Sequence, residues 1–99
     1  MVEILTPSSI VGAAPDVLSS VVGDETVILH FSAGTYFGLD EVGTRIWQLI
    51  AEPRPVAEIR DRLLEEYEVE PDHCERSTLA LLLEMTEHGL VTVHAPAAS

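Results

Sequence analysis

The residues of this chain that could bind a metal, attack a carbonyl or move a proton are few and scattered. There are four histidines, His30, His73, His88 and His94, and a single cysteine, Cys74. His73 and Cys74 are neighbours, so on a helix they point to different sides and do not converge on one ion. The Cys and His spacings of zinc sites are absent. Cys74 falls on the apolar stripe of a helical segment, where a thiol is inert packing rather than a nucleophile. Glu65, Glu66, Glu68 and Glu70 crowd a helix end and its exit, the pattern of a solvated face rather than an acid–base pair. There is no glycine-rich phosphate loop and no nucleophile elbow. The expectation is a protein with no catalytic residue, no bound metal and no cofactor.

The charge narrows the partners. Seventeen acidic residues stand against five arginines and no lysine, for a net charge of −12. Such a surface repels a phosphate backbone and an anionic leaflet alike, so neither nucleic acid nor membrane is expected as a partner. A basic peptide or a basic protein face suits it better; the same acid also serves plain solubility. The longest apolar runs, such as Leu79–Leu83, fall far short of the ~20 residues of a membrane span. No basic-then-apolar secretory segment opens the chain. One cysteine excludes an internal disulfide and fits a cytoplasmic location. Ninety-nine residues suffice for one domain with one core.

These residues must be positioned by a small set of elements. Residues 1–15 hold Pro7, Gly12 and Pro15 and read as an irregular arm, with a short strand near Val2–Leu5. Residues 95–99 read as a disordered tail. Val17–Val22 and Glu25–Phe31 are rich in Val, Ile and Leu and read as strands joined by a two-residue turn at Gly23-Asp24. Ser32-Ala33-Gly34 makes a second turn, and Thr35–Leu39 a third strand. Val27, Leu29 and Phe31 alternate, as do Phe37 and Leu39. A three-residue loop would place both sets on the core side. Asp40 is suited to cap a first helix whose apolar face is Val42, Ile46, Leu49 and Ile50. Pro53-Arg54-Pro55 ends it and opens a second, with Val56, Ile59, Leu63 and Tyr67 inward. Asp72 and Glu75 have capping-box spacing for a third helix over Asp72–His88, and Gly89 stops it. Leu90–Val93 reads as a short closing strand. The parts describe an α+β, winged helix-turn-helix-like fold, in which a three-stranded antiparallel sheet precedes a three-helix bundle.

Two features exceed what packing needs. On the third helix Cys74, Thr78, Leu81, Leu82 and Met85 form a complete core stripe, yet Leu79, Leu83 and Thr86 widen the apolar arc to roughly 200°, about twice the usual width. Either the sheet or the N-terminal arm covers Leu79 and Leu83, or a partner does. The strand Thr35–Leu39 is an edge unless the arm pairs with it, and Thr-Tyr-Phe-Gly-Leu has no Lys, Pro or charge to guard it. An open edge beside an apolar wall is a recognised way to bind a peptide.

The series Tyr36-Phe37-Gly38-Leu39-Asp40-Glu41-Val42-Gly43, Ile46-Trp47, Leu49-Ile50, Pro55-Val56-Ala57-Glu58-Ile59 and Glu87-His88-Gly89-Leu90-Val91 resembles the PqqD-like family, the leader-peptide recognition elements of ribosomally made, modified peptides (RiPPs). The resemblance is closest to the stand-alone recognition subunits of lasso-peptide pathways. It implies a recognition domain over residues 16–94 that does no chemistry. It also implies that the leader of a precursor peptide adds as an antiparallel strand against Thr35–Leu39, in a cleft walled by the third helix. The peptide-binding residues it implies are Thr35, Tyr36, Phe37, Gly38 and Leu39, with Arg76, Leu79, Ala80 and Leu83. The implied partners are the leader, a leader peptidase of the cysteine-protease type and the macrocyclase. Many relatives have Thr at the position of Pro55 and a charged residue at that of Leu83. The first departure touches the cap of the second helix, the second the character of the pocket. The same fold serving pyrroloquinoline quinone synthesis is the alternative within the family. A small acidic winged-helix interaction or transcription-associated module is the alternative outside it.

Overall fold

The computed structural model describes residues 5–94. The chain runs β1 (Ile10–Ala13), β2 (Val17–Val22), β3 (Glu25–His30), β4 (Thr35–Leu39), α1 (Glu41–Leu49), β5 (Arg54–Pro55), α2 (Val56–Glu66), α3 (Pro71–Glu87) and β6 (Val91–His94). The α+β class and the three helices are as expected. The strands form two antiparallel sheets, ordered β2-β3-β4 and β5-β1-β6. The expected strand near Val2–Leu5, apart from Leu5, and the tail at 95–99 lie outside the described residues.

The second sheet is built from a stretch expected to be irregular. Ile10–Ala13 pairs with both β5 and β6, and Val11 is fully buried. Its run-in caps α2. Pro55 supplies no side-chain cap, and the N–H groups of Val56 and Ala57 instead donate to the carbonyls of Ser9 and Pro7 at 2.9 and 2.8 Å. Helix N-termini leave such donors without partners, so the missing Thr cap is made good by backbone. Since β1 belongs to this sheet, it does not cover β4.

The β2–β3 hairpin turns at Gly23-Asp24 as expected, with Val22 opposite Glu25. The β3–β4 register differs from expectation. His30 pairs with Thr35, so the loop is Phe31–Gly34, four residues rather than three, with Gly34 at φ +67°. One added residue exchanges the faces of β3. Thr26 and Ile28 are buried opposite Leu39 and Phe37, while Val27 is 39% and Phe31 60% exposed. Burying a threonine is tolerable here because its hydroxyl donates to Thr44 Oγ1 of α1 at 2.9 Å.

α1 packs on β3 and β4, α2 on α3, and α3 on β6. Ile28 and Leu39 from the first sheet, Ile46 and Ile50 after β4, Ile59 and Leu63 of α2, and Leu82 and Met85 of α3 meet in one core. Asp40 caps α1 as expected, its Oδ1 accepting from Gly43 N–H at 2.8 Å. The capping box expected for α3 does not form: the helix starts one residue earlier, at Pro71, with Glu70 as a cap that makes no side-chain bond. Glu75 instead accepts from Arg60 Nη1 at 2.6 Å. Proline suits the first helical position because its missing N–H would have no helical partner there. Gly89, at φ +75°, ends α3 in the left-handed conformation that glycine adopts without strain.

Candidate functional site

The exposed edge of β4 can be oriented atom by atom. Phe31 N–H donates to Asp16 O at 3.1 Å, which makes these opposed residues a hydrogen-bonded pair of the β2–β3 ladder. Odd-numbered residues of β3 therefore turn their backbone groups to β2 and even-numbered ones to β4. The partners of the even residues, Thr35, Phe37 and Leu39, bond inward. Tyr36 and Gly38 are left with N–H and C=O aimed away from the sheet. Among the described residues β4 has no second neighbour, so this edge is open.

Beside the edge lies a groove of about 640 Å³. Phe37, Gly38 and Leu39 form its strand side. Asp40, Val42, Gly43 and Ile46 line it at the start of α1, and Leu63, Tyr67 and Val69 at the exit of α2. The far wall is α3, through His73, Cys74, Ser77, Thr78, Leu81 and Glu84. Past Glu84 on the same side of α3, the His88 ring packs on Phe37 with centroids 5.3 Å apart.

The residues expected at the site divide accordingly. Phe37, Gly38 and Leu39 line the groove. Thr35 and Tyr36 are on the same strand outside the lining, and Tyr36 points to the outer face, 73% exposed. Arg76, Leu79, Ala80 and Leu83 are not in the lining. Leu79 packs partly against the core, and Arg76 Nε donates to the Asp72 carbonyl at 3.3 Å. The core stripe of α3 has two flanks, and the apolar one, with Leu79 and Leu83, faces away from the groove. The groove flank reads His73, Ser77, Leu81 and Glu84, a mixed row whose spacing of four, four and three residues is its only sequence signal.

The lining is mostly apolar; its carboxylates are Asp40 and Glu84, and it holds none of the five arginines. Arg45 ties α1 to the end of α2 through a two-pronged pair with Glu66, at 2.7 and 2.8 Å. The Arg45 hydrogen bond holds the Glu66 carboxyl below its ordinary range, and the same bond raises the guanidinium. Burial pushes the phenol of the neighbouring Tyr67, also in the lining, upward. Among the described residues no group of three or more His, Cys, Asp and Glu is placed to hold a metal. No described helix is long and apolar enough to cross a membrane.

An open strand edge above an apolar groove defines a class of small peptide-recognition domain. Comparison with known proteins gives the family. The model for coenzyme PQQ synthesis protein D (PqqD) matches residues 25–91. The structure of TbiB1 in complex with the TbiA(beta) leader peptide is similar at 38% identity and TM-score 0.78, covering 85% of this chain and 98% of that one. A lasso peptide synthetase B1 complexed with the leader peptide is similar at 26% identity and TM-score 0.74, covering 83% and 96%. Comparison with curated proteins finds no match. The chain belongs to the PqqD family and is a PqqD-like recognition element.

Proposed function

We propose that this chain binds the leader of a ribosomally made lasso-peptide precursor as an antiparallel strand added to β4, and presents it to a leader peptidase and a macrocyclase in the cytoplasm. The observation that carries the reading is the pair of outward backbone sites at Tyr36 and Gly38, directly beside the groove. An added strand would bond to those two residues. Its residues opposite Phe37 and Leu39 would direct side chains into the groove, toward Leu81 and toward Val42, Tyr67 and Val69. The likeness to two leader-peptide complexes supports it. The chain supplies binding and orientation, and the bond-breaking belongs to its partners. The family description favours a second reading, a chaperone for the pyrroloquinoline quinone precursor; the likeness to a lasso peptide synthetase B1 supports the lasso pathway instead.

The test is a titration with the fluorescein-labelled TbiA(beta) leader, with the leader of any lasso precursor encoded beside this chain as second probe. The Tyr36 and Gly38 amide resonances should shift. Tyr36→Pro removes an outward donor, which an edge strand tolerates, and should abolish polarisation binding while the domain stays folded. Phe37→Pro is not the equivalent test, because its N–H bonds to β3. Unmoved Tyr36 and Gly38 amides, or full affinity in Tyr36→Pro, would place the peptide elsewhere. Preference for a pyrroloquinoline quinone precursor over both leaders would favour the second reading.

A further inference from the structure

Of the six glycines, five have a reason to be glycine within the domain. Gly23, Gly34 and Gly89 have positive φ. At Gly12 and Gly43 a Cβ would approach Pro53 and Leu39 at 3.3 and 3.1 Å. Gly38 has neither reason. Its φ is not positive, and a Cβ built there meets nothing within 4 Å. It sits inside the five-residue strand β4, where glycine is among the least favourable residues. A glycine that weakens a strand without local cause marks close approach by a ligand or another backbone.

We infer that Gly38 determines peptide specificity by leaving a notch that one large apolar side chain of the added strand, aromatic or long aliphatic, fills. This inference rests on strand addition at β4. The peptide residue opposite Gly38 pairs with its outward N–H and C=O, so its side chain stands on the outer face of the sheet. Gly38 leaves bare backbone on that face. Across it lies Val27, its partner in β3, 39% exposed. The peptide side chain leans over Gly38 onto Val27, with Tyr36 as its other flank. Cross-strand coverage of an edge glycine by an aromatic side chain is an established stabilising device in sheets. The recognised residue is thus set apart from the side chains that enter the groove on the opposite face.

The same labelled leader tests this against wild type, Gly38→Ala and Gly38→Val, with each peptide strand position changed in turn to Ala. Both variants should melt at or above the wild-type temperature, since the Cβ is unhindered and glycine is the poorer strand residue. Gly38→Val should bind the leader about tenfold more weakly, and Gly38→Ala by less. One peptide position should lose about tenfold on wild type when changed to Ala and almost nothing on Gly38→Val. Equal affinity across the three proteins, or the absence of any coupled peptide position, overturns the inference and leaves strand addition standing. A lower melting temperature in both variants overturns it too, by showing that the glycine serves the fold. If the Tyr36 and Gly38 amides of the wild type do not respond to the peptide, strand addition fails and this inference falls with it.

Discussion

Leu81 and Leu83 stand two residues apart on α3 and are both half-buried, yet only Leu81 lines the groove. Two residues of helix are about 200° of rotation, enough to put them on different sides. Leu81→Asp places a carboxylate on an apolar wall and should weaken leader binding by about tenfold or more, since about 1.4 kcal/mol already gives that factor. Leu83→Asp should leave affinity within about threefold. Fluorescence polarisation reads both, with thermal melts to show that each variant folds. The reverse ranking would return the binding wall to the Leu79 and Leu83 side. The strand side of this groove was legible in sequence, because an uncharged edge strand is visible as a run. The helix half was not. Hydrophobicity singled out the flank with more leucine, whereas a groove wall that must also meet solvent mixes His73, Ser77 and Glu84 with one leucine, and no composition rule separates that row from an ordinary surface.

At the scale of elements, the contact that accommodates the exchanged face is the hydroxyl pair Thr26–Thr44. It joins β3 to the first turn of α1, buried and satisfied. Thr26→Val removes the donor and leaves the Thr44 hydroxyl short of a partner, at a cost of about 1–2 kcal/mol. Adding Thr44→Val should cost less than the sum of the two single changes, because the unpaired group disappears with its partner. Urea denaturation of the four proteins measures the cycle, and strict additivity would show that the two hydroxyls do not cooperate. The same pair explains why the register resisted prediction. Val27, Leu29 and Phe31 alternate as a core face should, and Thr26 reads as polar until its partner eighteen residues on is known. Strands, helices and stops were legible wherever the signal is local: Gly23-Asp24, Asp40, Gly89. β1 was not, because Ile10–Ala13 is four residues long, flanked by Ser, Ala and Pro, and acquires strand character only by pairing with β5 and β6.

Over the whole molecule, the exchanged register has a larger result: it turns apolar side chains outward on a sheet whose other side is core. Leu18, Leu29 and Tyr36 form a row across the three strands. Leu18 is 58% exposed, with Phe31, Val27 and Val22 exposed around it, and Asp16, Asp24 and Glu25 are exposed at the margin. Scattered surface leucines need no explanation, but one contiguous face does. A strand added to β4 would widen this face by its own outward side chains, so the surface is complete only when a leader is bound. A partner that must act on leader-loaded subunit and ignore the empty one gains discrimination from such a composite face. Under the proposed function the leader peptidase would be the partner with that requirement, and an apolar centre with a basic rim is the surface it should offer to a chain of net charge −12. Leu18→Asp and Phe31→Asp should therefore leave leader affinity within about twofold while slowing leader removal by about tenfold or more, because a buried unpaired carboxylate at an interface centre is costly. Polarisation measures the first and mass-spectrometric assay of precursor cleavage the second. Loss of leader affinity in parallel with cleavage would show that these residues serve the groove. Unimpaired cleavage would show that the peptidase approaches from another side.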